Sequence, residues 1–102
     1  MSSERFHEIL SELGELHDLK QKDYGSGNDP FANVRASAEF GIPPWLGAVL
    51  RLNDKVVRIK SFVRNGRLEN EKVEDSLRDI AVYATIALVL WEEQVAEGRG
   101  NR

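Results

Sequence analysis

Hydrophobic side chains recur at three- and four-residue intervals through most of the 102-residue chain. This spacing is typical of amphipathic helices, and no segment alternates apolar with polar residues as a half-buried strand does. The pattern therefore predicts an all-α protein, an antiparallel bundle of three long helices and one short helix. A chain of this length supports one core, so we expect a single domain over residues 1–97 and a disordered tail over 98–102.

Turn-forming residues place the ends of the first two predicted helices. The first helix should end near Lys22, before the sequence YGSGNDP, because glycine, asparagine and proline favour turns. Asp29 as N-cap and Pro30 as first helical residue start the short helix, which ends at Gly41. The apolar side of the first helix is formed by Phe6, Ile9, Leu10, Leu13 and Leu16.

The last two helices are predicted from Trp45 to a stop at Gly66, and from about Asn70 to Ala96. The apolar stripe of the third helix is Val49, Leu52, Val56, Ile59 and Val63. That of the fourth is Val73, Leu77, Ile80, Ala84, Leu88, Trp91 and Val95. Residues 80–91 are apolar on nearly every side, and such a helix must be covered all round. We therefore expect a homodimer or homotetramer.

Composition narrows the possible partners. A net charge of −3 and a pI near 5.4 predict no stable nucleic-acid binding. The chain has no cysteine, which excludes thiolate chemistry and fits a reducing compartment. The apolar run is shorter than the roughly 18 residues of a membrane span, and the first residues do not form an export signal. We expect a cytoplasmic protein without a membrane partner.

The acidic start of the fourth helix is the first candidate site. Glu71, Asp75 and Asp79 stand at i, i+4 and i+8, a spacing at which like charges repel one another. A carboxylate on a face about to be buried needs a cationic partner or a metal. Lys55 and Arg58 on the preceding helix are possible partners, and so is Mg²⁺. Both alternatives, interhelical ion pairs and a metal site, follow from these residues.

Two neighbouring segments extend this candidate site. Asp54 would add a carboxylate to a metal shell, while Lys55 and Arg58 would hold phosphate oxygens. The loop KQKDYGSGNDPFAN brings a lysine, an aspartate, Tyr24, Phe31 and Asn33 together around flexible glycines, a combination suited to stacking on a base and bonding its edge. The plainer alternatives are a solvated helix face and a helix end followed by core aromatics. Arg51 belongs to the same polar stripe as Asp54, Lys55 and Arg58, and the solvated-face alternative is serious for it.

Five segments, KQKDYG, DPFANVR, FGIPPW, RLNDKVVRI and VEDSLRDIAVYA, follow one another in this order. Together they resemble phage-encoded members of the MazG-like all-α nucleotide pyrophosphohydrolase superfamily, including the group called nucleotide modification associated domain 1. The resemblance covers about residues 20–90. It implies Mg²⁺-dependent cleavage of a nucleoside triphosphate to a monophosphate and pyrophosphate, with Mn²⁺ able to substitute, and assembly as dimers or tetramers.

The resemblance also implies roles for individual residues. The acidic motifs correspond to Asp54, Glu71, Asp75 and Asp79, and the positions facing phosphate and nucleoside to Lys22, Tyr24, Asn33, Lys55, Arg58 and Tyr83. The superfamily pattern E-x-x-E on one helix is reduced here to Asp54, and Glu39 is a reserve metal ligand. Glu74 or Asp79 would act on the attacking water.

The predicted function is therefore that of a pyrophosphohydrolase acting on a purine deoxynucleotide, in control of the nucleotide pool or in DNA base modification. The alternative is a non-catalytic oligomeric module that binds a nucleotide or a protein through the same helices.

Overall fold

The computed structural model describes residues 3–24, 31–67 and 72–98, with the backbone alone for 21–24. In these ranges the chain is helical and contains no strand, which confirms the all-α prediction. The helices are α1 (Glu4–Tyr24), α2 (Ala32–Arg35), α3 (Pro44–Asn65) and α4 (Val73–Glu97), with a 3₁₀ turn at Ala36–Phe40. Two compact units, Met1–Asn33 and Val34–Arg102, make up the chain.

Helix α1 continues to Tyr24, two residues beyond the predicted end. Near its start the Arg5 guanidinium donates to Glu8 at 3.2 Å and to Glu12 at 3.1 Å, so these side chains brace successive turns. The apolar side is unevenly exposed: Phe6, Ile9 and Leu10 are exposed, whereas Leu13 and Leu16 are half-buried.

The predicted short helix is two short segments in the structure, α2 and the 3₁₀ turn that follows it directly. Gly41 ends the second segment with a φ of 78°, and its backbone N–H donates to the Ala38 carbonyl at 3.0 Å. The predicted stop is confirmed, because only glycine adopts this left-handed conformation without steric cost. Asp29 and Pro30, the predicted start, lie outside the described residues.

Helix α3 begins at Pro44, after the extended Pro43, and ends at Asn65. Gly66 follows with a φ of 80°, and its N–H donates to the Phe62 carbonyl at 2.7 Å, which confirms the predicted stop. Helix α4 begins at Val73 because Lys72 is extended. The start predicted near Asn70 lies outside the described residues, as do 99–102 of the predicted tail.

Helices α3 and α4 pack together as an antiparallel pair, as predicted. Three side-chain contacts between the helices define the register: Trp45 with Trp91, Arg51 with Tyr83, and Lys55 with Asp79. Residues later in α3 contact residues earlier in α4, as expected for antiparallel helices. None of the described helices combines the length and the apolar character needed to cross a membrane.

The buried side of α4 differs from the predicted stripe. Ser76, Ile86, Ala87 and Leu90 are buried, together with Val34, Gly47 and Ala48 from the preceding elements. The predicted stripe residues Leu77, Ala84, Leu88 and Val95 are exposed, and so is Val63 of α3. The prediction was wrong at these positions. In α4 the reason is that a helix that is apolar on most sides carries no periodic signal for its inner face.

Gly47 sets the close approach between α3 and the 3₁₀ turn. A Cβ built at this position would lie 2.5 Å from Ser37 Oγ and 3.1 Å from the Val34 carbonyl oxygen. The Ser37 hydroxyl donates to the Ile42 carbonyl at 3.1 Å, so it is held where that Cβ would be. A residue without a side chain is therefore needed at this contact.

Candidate functional site

An ion pair between α3 and α4 lies at the centre of the candidate site. Lys55 Nζ is 3.0 Å from Asp79 Oδ2, and the two side chains are only 22% and 17% exposed. Both groups project from the facing sides of the antiparallel pair. The ammonium therefore compensates a carboxylate that has lost most of its water, as a charge in this position requires.

Asp79 belongs to the inner line of α4, which runs through Ser76 and Tyr83 towards Ile86. Ser76 is fully buried and Tyr83 is half-buried. Three- and four-residue steps keep these positions on one side of the helix. The Asp79 carboxylate on this inner line is thus an interhelical contact, as the ion-pair alternative predicted.

Asp75 is separated from this arrangement. Its side chain is 52% exposed and accepts a hydrogen bond from Arg78 of the same helix at 3.2 Å. Each four-residue step along an α-helix rotates by about 40° beyond a full turn, so Asp75 and Asp79 diverge at the edge of the packed face. Glu71, the third carboxylate of the predicted line, lies outside the described residues.

The remaining predicted acids are exposed. Asp54 precedes Lys55 on α3, Glu74 lies in the first turn of α4, and Glu39 lies in the 3₁₀ turn. Within the described residues, no three His, Asp or Glu side chains form a group able to hold a metal ion. Carboxylate oxygens are the ligands that Mg²⁺ prefers. The donor chemistry of the predicted set therefore fits Mg²⁺, but the described part of the chain does not bring three of these acids together.

A second contact between the helices lies one turn from the ion pair and involves Arg51, for which a solvated face was a serious alternative. The Arg51 guanidinium carbon is 5.7 Å from the centroid of the Tyr83 ring. Arg51 precedes Lys55 by four residues and Tyr83 follows Asp79 by four. In an antiparallel pair these matched spacings place the two contacts on neighbouring turns once the Lys55–Asp79 pair has set the register.

The predicted nucleoside-facing residues belong to the other compact unit. Lys22 and Tyr24 lie on α1, but their side chains are outside the described part of the structure, and Asn33 is exposed. Phe31, just before α2, stacks on His17 of α1 with ring centroids 5.7 Å apart. This contact supports the alternative in which an aromatic residue after the loop is structural. A role in nucleoside recognition stays a prediction for Lys22, Tyr24 and Asn33.

A second cluster lies at the other end of the α3–α4 pair. Trp45 and Trp91 meet edge to face, with ring centroids 5.4 Å apart and an interplanar angle of 83°. The buried Trp45 Nε1–H finds no acceptor among the described residues. Nearby in sequence, Arg35 and Glu93 form an ion pair at 2.8 Å. The ring contact joins the first turn of α3 to α4, and the ion pair joins α2 to the last turns of α4.

Comparisons with protein-family models, with curated proteins and with solved structures found no match. The sequence motifs alone carry the resemblance described above.

Proposed function

We propose that the protein is a Mg²⁺-dependent nucleoside triphosphate pyrophosphohydrolase, which converts a purine deoxynucleoside triphosphate and water to the monophosphate and pyrophosphate. The observation that supports this proposal best is the partly buried Lys55–Asp79 pair. It combines a carboxylate and an ammonium on adjacent helices at the position of the resembling motifs. Both groups are of the kinds that triphosphate hydrolysis employs.

In this proposal Asp54, Glu71, Asp75 and Asp79 hold the metal. Bound Mg²⁺ would neutralise charge on the phosphate oxygens. Asp79 is already engaged by Lys55 at 3.0 Å, so metal binding competes with the ion pair. Release of the ammonium from Asp79 then makes Lys55 available to phosphate oxygens. In this proposal Lys55 and Asp79 bind each other when the site is empty and bind phosphate and metal, respectively, when substrate is present.

The chemistry assigns separate tasks to the chain's other residues. Water attacks the α-phosphorus in line, a new P–O bond forms, and the bond from the α-phosphorus to the bridging oxygen breaks. Glu74 accepts the proton of the attacking water. Lys55 and Arg58 stabilise the negative charge on the departing pyrophosphate. The released products are therefore a nucleoside monophosphate and pyrophosphate.

The test is to incubate the protein with each common NTP and dNTP in the presence of Mg²⁺ and to separate the products. We expect monophosphate and pyrophosphate in equal amounts, with Mn²⁺ supporting the reaction and excess EDTA abolishing it. A parallel reaction with Asp79→Asn controls for contaminating phosphatases. Orthophosphate together with a diphosphate would contradict the proposed bond cleavage, and turnover by Asp79→Asn equal to that of the wild type would contradict the proposed role of Asp79.

A second candidate function is that of a non-catalytic helical module that binds a nucleotide or a protein. The exposed apolar residues of α4 favour it, since Leu77 and Leu88 are 55% and 56% exposed and contiguous exposed apolar surface marks interaction sites. Thermal unfolding with and without nucleotide distinguishes the candidates. A rise in melting temperature without product formation would favour the binding module.

A further inference from the structure

Helix α3 carries a basic line along the side where it meets α4. Five basic residues and one acidic residue lie between Pro44 and Asn65. Arg51, Lys55 and Arg58 stand at i, i+4 and i+7, a spacing that keeps them on one face over about 10 Å. This line runs beside Asp79 and Tyr83 of α4.

Lys55 and Arg51 of this line differ in the contacts that their side chains already make. The Lys55 ammonium is paired with Asp79 and largely withdrawn from solvent. Arg51 is exposed, and its contact in the structure is with the face of the Tyr83 ring. That contact restrains the side chain through the ring quadrupole and uses none of the five guanidinium N–H donors. Among the described residues, Arg51 is thus a restrained cation whose planar donor set remains available to an anion.

We propose that Arg51, supported by the Tyr83 ring, is an anion-binding residue of the α3–α4 face and takes the terminal phosphates of a nucleoside triphosphate. A guanidinium binds phosphate oxygens through two parallel N–H donors, which a lysine ammonium cannot do. The restraint by Tyr83 reduces the conformational entropy lost when the anion binds. The ligand assignment rests on the proposed function, whereas the anion site itself does not.

The assignment gives Tyr83 a role different from direct nucleoside contact. Its ring acts through Arg51, so Tyr83 is a positioning residue for the guanidinium. Replacing the ring should weaken anion binding only while Arg51 is present. A Tyr83 side chain that touched the ligand directly would instead contribute independently of Arg51.

The experiment is calorimetric titration of the 102-residue chain with inorganic pyrophosphate, with and without Mg²⁺. We expect Arg51→Gln to weaken binding about 10- to 100-fold, the equivalent of one hydrogen-bonded charge. Arg51→Lys should fall between the wild type and Arg51→Gln. Arg64→Gln removes the same charge from an exposed position farther along α3 and should change affinity less than about threefold because solvent screens it.

A double-mutant cycle tests the support by Tyr83. Tyr83→Leu should weaken pyrophosphate binding about two- to fivefold, the range expected for a cation–π contact at an exposed site. Combined with Arg51→Gln it should add no further loss. Circular dichroism of each variant identifies any loss of fold before titration, and Arg51→Lys carries the test if Arg51→Gln does not fold.

Three results would overturn the inference: no pyrophosphate binding by the wild type, unchanged binding by Arg51→Gln, or equal losses for Arg51→Gln and Arg64→Gln. Its failure is separable from that of the proposed function. Pyrophosphate binding that depends on Arg51, without hydrolysis of any triphosphate, would retain the anion site and reject the enzyme. Hydrolysis of a triphosphate with an unchanged KM in Arg51→Gln would retain the enzyme and reject the anion site.

Discussion

At the scale of single residues, the environment of Asp79 determines what its substitution should do. Asp79 and Lys55 form a mostly buried pair between two helices, whereas Asp75 and Arg78 form an exposed pair within one helix. Buried partners are costly to remove because an uncompensated charge remains. Exposed pairs contribute little. Two aspartates one turn apart on α4 therefore have different energetic roles.

We expect Asp79→Asn to lower the free energy of unfolding by about 1–2 kcal/mol, between the values for exposed and buried pairs. If the proposed function holds, Mg²⁺-dependent turnover is lost as well. Urea unfolding followed by circular dichroism measures the first effect, and the product assay measures the second.

Asp75→Asn is the matched control for stability, with an expected change below about 0.5 kcal/mol. Equal destabilisation by the two substitutions would contradict the difference in burial between the two aspartates. The double variant Lys55→Met with Asp79→Asn should recover part of the loss, because neither partner then leaves the other charge unpaired.

At the scale of elements, close packing between α3 and the 3₁₀ turn depends on Gly47. The chain offers a direct comparison, because Gly14 in α1 is also helical but has nothing within 4 Å of a built Cβ. Replacing glycine with alanine should therefore have opposite effects on stability at the two sites. One site lacks space for a methyl group, and the other has only the entropic cost of glycine.

We expect Gly47→Ala to destabilise the protein by about 1–3 kcal/mol, since Ser37 or the backbone at Val34 must move. Gly14→Ala should stabilise α1 by about 0.5–1 kcal/mol. Melting temperature and helical ellipticity, measured side by side, check both. A stabilising effect of Gly47→Ala would show that the turn is not held against α3.

Several elements were predictable from the sequence. Gly41 and Gly66 mark the ends of their helices because a left-handed residue after a helix is a local requirement. The antiparallel pairing of α3 and α4 followed from two long apolar helices in succession. The inner face of α4 was not predictable in this way. Leu77 and Leu88 looked as suited to burial as Ile86 and Leu90, and the packing partner decided between them.

At the scale of the whole molecule, the exposed apolar side of α4 bears on self-association. Leu77, Leu88 and Val95 are exposed along the helix from its first turns to its last. A stripe of this kind is typical of a surface covered by another protein chain. We retain the proposal of a homodimer or homotetramer and place the contact on this side of α4.

We expect light scattering to give a mass at least twice that of the monomer, and Leu88→Glu to lower it towards the monomer mass, because a charge in the contact is desolvated. Val63→Glu, at a position of α3 that is 77% exposed, is the control and should leave the mass unchanged. A monomer mass for the wild type would reject the proposal.

The sequence by itself determined the helical class, the stops at Gly41 and Gly66, and the set of charged residues from which the candidate site is drawn. These follow from backbone conformation, periodicity and composition, which are properties of local segments. Tertiary structure decided which acids meet a partner. Only the packing of α3 on α4 turned Asp79 inward to Lys55, left Asp75 with Arg78, and set Arg51 over Tyr83. The physical reason is rotation about the helix axis: neighbouring positions on one predicted line diverge by tens of degrees, and the contact with the partner helix selects those that are buried.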